Sequence, residues 1–194
     1  MGISGSDALR SLLRPLYLFI AFCMLLSAAT ELGTTQRIES LLKETGVNAL
    51  LVLAFINGVM MLGRYYAGPV SKKLSIVGML LLSASFSFIG LQLLAISSGN
   101  YVFVSAAVFA IGITFFWPTT IAFISENIPE SGAFGLSLMG GLGNLSVATI
   151  LPLMGQYLDS SNGVEVIQRM SILPAVLFLC YLMLFLAQKN KVNL

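Results

Sequence analysis

Apolar runs of roughly 20 residues recur along this 194-residue chain, separated only by short polar joints. That length is what a helix needs to cross the hydrocarbon of a bilayer. A soluble core of this size would alternate apolar stripes with polar faces, and a barrel would show alternating segments of about ten residues. Only 9% of the residues are charged, against about 25% in soluble domains. The expectation is therefore an all-α integral membrane protein, because a lipid-exposed backbone must satisfy its own polar groups.

Six spans are read at roughly 14–37, 47–69, 74–96, 101–126, 133–158 and 165–187. Their short connections make consecutive helices antiparallel neighbours, so 1–194 is expected to be a single six-helix transmembrane domain. The start, MGISGSDALRSLLRP, lacks the shape of a signal peptide and reads as a cytoplasmic lead-in. With the amino terminus inside, Arg10, Arg14, Arg64, Lys72, Lys73, Lys189 and Lys191 fall at cytoplasmic ends. The bias of basic residues then places both termini in the cytoplasm, with a bacterial inner membrane as the expected location.

Composition removes several functions. The chain has no histidine, which takes away histidine-based general acid/base chemistry and haem or metal ligation by histidine. No nucleophile stands with a base at plausible spacing, so an enzyme is not expected, nor is a cofactor or metal. The basic residues are few and scattered, which argues against nucleic acid as a partner. Cys23 and Cys180 lie among apolar neighbours and read as small buried hydrophobes.

The spans differ in polarity. The third and sixth carry little beyond serines, a glutamine and an arginine near one end, whereas the other four carry Glu31, Gln36, Arg37, Asn57, Trp117 with Pro118, and Asn144. Polar groups at membrane depth usually face a bundle interior or a wet cavity. Two triplets, each ending in its blandest helix, are the pattern of a 3+3 inverted repeat.

Three segments carry a family resemblance. Gly63 to Ser75 (GRYYAGPVSKKLS), FFWPTTIAFISENIP, and GLSLMGGLGNLSVATILPLMGQYLD together resemble the carboxy-terminal half of a major facilitator superfamily transporter. TELGTTQRIESLL in the first span is similar to the sugar-permease-like branch. Lys72 stands where the loop signature commonly has aspartate, and Ser75 where it has glycine. The resemblance implies half of a major facilitator fold in a secondary active transporter. Its partners would be a small polar solute, possibly a sugar, a proton, the lipid bilayer, and a second six-helix half, either covalent and upstream or a homodimer partner. The competing reading is a membrane assembly bundle that does not transport.

Glu31 is the leading candidate. Counting the helical rise from the start of its span puts it about 25 Å along, in the outer half of the hydrocarbon. A carboxylate there is costly unless paired, wetted or protonated, so it is assigned to proton coupling and solute binding, or else to a structural hydrogen bond. Gln36 and Arg37 either meet solute or end the span as a solvated helix end with Glu39 and Lys43. Asn57 either binds solute or stitches two helices. Trp117 either offers an aromatic face to the solute or packs. Asn144 completes the binding set. Gating is assigned to Arg64, Lys73 and Glu126, with an Arg64–Glu126 ion pair implied by the resemblance, and to Pro118, Gly140, Gly141 and Pro152, where glycine and proline permit bending or close packing.

Overall fold

The computed structural model describes residues 5–192, of which the side chains of 8–189 are placed. The first four residues of the lead-in and the Lys191 side chain lie outside what it describes. Among the described residues the chain is all-helical, and five helices are long and apolar enough to cross a membrane. These are Pro15–Gln36, Ile76–Ile96, Tyr101–Asn127, Pro129–Ser160 and Gly163–Lys189. The second expected span is shorter than read.

A short amphipathic helix α1 (Gly5–Leu12) precedes α2 (Pro15–Ala28), whose first position is a proline that loses no needed hydrogen bond there. α2 runs into a π-helical turn at Ala29–Gly33, then α3 (Thr34–Gln36) and α4 (Ile38–Leu41). The Asn48 side chain accepts from the N–H groups of Leu50 and Leu51 and so starts α5 (Ala49–Tyr65). The second span, expected over 47–69, breaks at Tyr66 and continues as α6 (Ala67–Ser71). Pro69 supplies the reason: it has no N–H for the Tyr65 carbonyl, and its ring crowds that oxygen.

Ser75 caps α7 (Ile76–Ile96) by accepting from Gly78 N–H at 3.1 Å. Gly99, at φ +54°, makes the turn into α8 (Tyr101–Ile113). The fourth helix is interrupted at Thr114 and Phe115 before α9 (Phe116–Asn127), and a 3-10 turn at Pro129–Ser131 leads to α10 (Gly132–Ser160). Helices α11 (Gly163–Met170) and α12 (Ile172–Val192) complete the chain.

The tightest packing joins α7 to α8. A Cβ on Gly90 would lie 2.4 Å from the backbone of Phe109, and one on Gly112 would lie 2.3 Å from the Ser87 nitrogen. Small residues let backbones touch, which is how helices associate where lipid offers no hydrophobic drive. The Ser97 and Ser105 hydroxyls bond at 2.6 Å at the Gly99 end of the same pair. Gln92 donates to Ser171 at 2.9 Å, tying α7 to the start of α12. α5 lies on α8, with Gly63 against Thr114 and Phe55 edge-on to Phe103 at 5.6 Å. On the other side α10 lies along α2, where the Tyr17 hydroxyl donates to the Gly135 carbonyl at 2.7 Å and the Ser146 hydroxyl to the Leu25 carbonyl at 2.6 Å. α2 and the broken fourth helix thus sit between α5 and α10. Cys23 and Cys180 are buried among apolar neighbours.

Candidate functional site

The two helix interruptions nearest the middle of the bundle meet at one ion pair. In the first, the π-helical turn widens the backbone ladder around Glu31, and Thr30 and Thr35 hydroxyls take up the carbonyls of Leu26 and Glu31, both at 2.8 Å. Such turns occur often at functional sites. In the second, Pro118 lacks the N–H that would normally bond the carbonyl four residues earlier, at Thr114. The Arg64 guanidinium fills that role, its Nε donating to the Thr114 carbonyl at 3.2 Å. The same guanidinium reaches Glu31 Oε1 at 3.5 Å through Nη2.

Glu31 is buried, its side chain 7% exposed, whereas that of Arg64 is 45% exposed. Its second oxygen, Oε2, is buried without a partner, as is the Thr34 hydroxyl beside it. A charge in this setting is held by one long contact to a cation that is itself half open.

This arrangement corrects one expectation: Arg64 pairs with Glu31, not with Glu126, which is exposed at the end of α9 and has no ionic partner among the described residues. Arg64 stands one residue before the end of α5 and bonds Thr114, which lies thirteen residues from each end of the Tyr101–Asn127 helix. Through Arg64, Glu31 is tied to that level.

Asn57 sits two helical turns before Arg64 on the same face of α5. With Gln36, Thr35, Ile38, Glu39, Leu50 and Leu53 it lines a groove of about 440 Å³. Glu31, Gln36, Asn57 and Arg64 therefore follow one seam, between α2–α4 and α5.

The other expected residues lie elsewhere. Arg37 turns to α10 and donates to the Leu151 carbonyl at 3.4 Å. A Cβ on Gly143 would touch the Trp117 ring at 2.6 Å, so Trp117 packs between α9 and α10 beside Met24, the bland alternative for that residue. Asn144 is on the exposed face of α10, with its amide bonded back to the Gly140 carbonyl at 3.4 Å. Gly140 and Gly141 face open space, and α10 continues through Pro152 without a break, so neither close packing nor a hinge is visible there. Lys73 is exposed in the turn after α6, and Glu39 and Lys43 are exposed in and just past α4.

No family model, curated protein or solved structure matches the chain. The reading of the site consequently rests on its geometry.

Two participants escaped the sequence reading. Thr114 was legible in principle, since it stands four residues before a proline inside an apolar helix. The pair at the start of α2 is the other: Arg14 meets Glu130 at 3.1 Å, with the two side chains 50% and 46% exposed. Pairs this open contribute little to stability. Arg14→Ala is expected to leave the thermal unfolding midpoint in detergent unchanged, which differential scanning calorimetry checks.

Proposed function

We propose that this chain is one six-helix half of a secondary active transporter of the major facilitator type. In this reading it moves a small polar solute, possibly a sugar, by proton-coupled alternating access, and it is not an enzyme. The observation that carries the proposal is the buried Glu31 carboxylate, held by the half-exposed Arg64 where two interrupted helices meet. Ionisable groups at membrane depth mark solute and proton pathways, and interrupted helices at corresponding places in two halves mark the binding site.

The 3+3 repeat gains support from the same feature. The π-helical turn begins fourteen residues after Pro15 in the first helix, and the proline break begins thirteen residues after Tyr101 in the fourth. Each is the first helix of its triplet, and the two run in opposite directions. The second helix, Ala49–Tyr65, has 17 residues, about 25 Å by the helical rise, and counts as the sixth span when α6 is added. Basic residues at Arg10, Arg14, Lys72, Lys73 and Lys189 favour cytoplasmic termini, as in a bacterial inner membrane.

A lone half would leave Asn57, Arg64 and Asn144 on surfaces turned outward, which is unfavourable in hydrocarbon. A second half, supplied upstream or by another copy, is accordingly part of the proposal. The assembly-bundle alternative is favoured by the interhelical bonds of Tyr17, Gln92 and Ser146, which stitch helices without any solute.

Proteoliposomes carrying the full chain and a trapped pH indicator separate the two. A solute gradient across the vesicle is expected to drive proton movement with the wild-type chain and none with Glu31→Gln. Proton movement undiminished in Glu31→Gln removes the coupling role, and no movement in either supports the assembly bundle.

A further inference from the structure

We infer that Arg64 is a solute-binding residue and that the solute is a monoanionic carboxylate bearing hydroxyl groups, such as a sugar acid. The inference rests on the transport reading for its cycle and deepens it by naming what the site recognises.

Three observations lead there. Arg64 is the cation of the seam, and nearly half of its side chain is open while its partner is buried. Its hold on Glu31 is a single contact of 3.5 Å, longer than the roughly 2.7–2.9 Å of a good charge-assisted bond, so a better-placed carboxylate competes for the same guanidinium. Finally, the groove lined by Thr35, Gln36 and Asn57 lies on the face of α5 that Arg64 shares. Seven residues of helix separate Asn57 from Arg64, about 10 Å. A small hydroxylated acid spans that distance with its carboxylate on Arg64 and its hydroxyls toward the amides of Asn57 and Gln36.

Charge balance fixes the proton. Before binding, the Arg64–Glu31 pair holds one guanidinium and one carboxylate and is neutral, while the exposed Glu39 at the edge of the groove takes no part in the exchange. An incoming monoanion adds one negative charge, and an unpaired buried carboxylate is strongly disfavoured in such surroundings. Glu31, displaced from Arg64, therefore takes up one proton from the bulk solution and becomes a neutral acid, while the solute carboxylate replaces it on the guanidinium. Net charge returns to zero, with one proton carried per anion.

Among the described residues Arg64 is the ionic partner of Glu31. Glu39 also lines the groove, exposed and with no cation paired to it among the described residues. Of the elements packed on the π-helical turn, α2 brings Tyr17 and Cys23, α10 brings Tyr157 and Asp159 at its far end, and α12 brings Cys180, Tyr181 and, at its far end, Lys189. Arg37, beyond the turn, is bonded to Leu151.

The test uses the full chain in detergent, titrated calorimetrically with D-gluconate, L-lactate, D-glucose and sulfate in weak buffer containing a pH indicator. Expected is binding of gluconate with uptake of one proton per molecule, weaker binding of lactate, and none of glucose or sulfate. Arg64→Ala is expected to weaken gluconate binding by at least about tenfold, and Arg64→Lys to restore part of it. Glu31→Gln is expected to bind gluconate without proton uptake, which remains informative if Arg64→Ala fails to fold. Glucose or sulfate binding as tightly as gluconate, gluconate binding indifferent to Arg64→Ala, or no binding of either carboxylate overturns the inference. In vesicles the two readings part. Flux of glucose without flux of gluconate removes the anion site and keeps transport, whereas gluconate binding with proton uptake but no flux removes transport and keeps the site.

Discussion

Arg64→Ala is expected to destabilise the protein far more than Glu31→Gln, although the two substitutions break the same contact. Removing the arginine strands a carboxylate whose side chain is 7% exposed, and it returns the Thr114 carbonyl to the unsatisfied state that Pro118 created. Stranding one partner of a buried pair costs about 3–5 kcal/mol, and because Arg64 is half open the lower end applies, about 3 kcal/mol. Glu31→Gln instead leaves a guanidinium that is 45% exposed and still bonded to Thr114, and it removes a buried charge, so a change of about 1 kcal/mol or less follows. The double variant is expected to fall between the two single ones, since neutralising the acid removes the stranded charge but leaves the Thr114 carbonyl without the Arg64 donor. Unfolding followed by SDS titration of the four proteins measures the cycle. Equal losses for the two single variants would mean that Glu31 is already neutral or hydrated.

The second large effect lies in the α7–α8 contact. Gly112→Ala places a methyl group 2.3 Å from the Ser87 backbone nitrogen, and Gly90→Ala places one 2.4 Å from the backbone of Phe109. Neither neighbour is a flexible side chain, so the helices must separate along their whole length. Overpacking typically costs about 1–3 kcal/mol, and backbone obstacles put each substitution at or above the top of that range. Gly140→Ala and Gly141→Ala are the internal comparison, because nothing lies within 4 Å of an added Cβ at either position. There alanine gains up to about 1 kcal/mol of helix propensity. Thermal unfolding in one detergent ranks the four variants. A similar midpoint for Gly112→Ala and Gly141→Ala would remove the close approach of α7 and α8.

These contrasts also mark what the sequence disclosed. The apolar runs placed the helices to within a few residues, because solvent alone sets their length. Glu31 stood out as an acid inside such a run. Arg64 was singled out for gating but given the wrong partner, because a hydropathy reading treats a basic residue near the end of a run as its boundary, and the proline five residues later is what breaks the helix there. The glycines misled in the same way. The cluster in the fifth span drew attention by number, yet Gly140 and Gly141 touch nothing, whereas the isolated Gly90 and Gly112 bring two backbones together. Composition counts glycines, and packing depends on which side of the helix each one occupies. Arg37 and Trp117 were ambiguous for a related reason: both sit at element ends, where one residue of rotation decides which neighbour is met.

The close seam between α7 and α8 bears on how the polypeptide assembles. Ordering long side chains opposes association through their entropy, and where Gly90 and Gly112 bring backbone against backbone there is no glycine side chain to order. Joined by the short turn at Gly99, these two helices meet with little loop entropy as well. At those two positions the pair closes at a smaller loss of conformational freedom than a contact between two long side chains would carry.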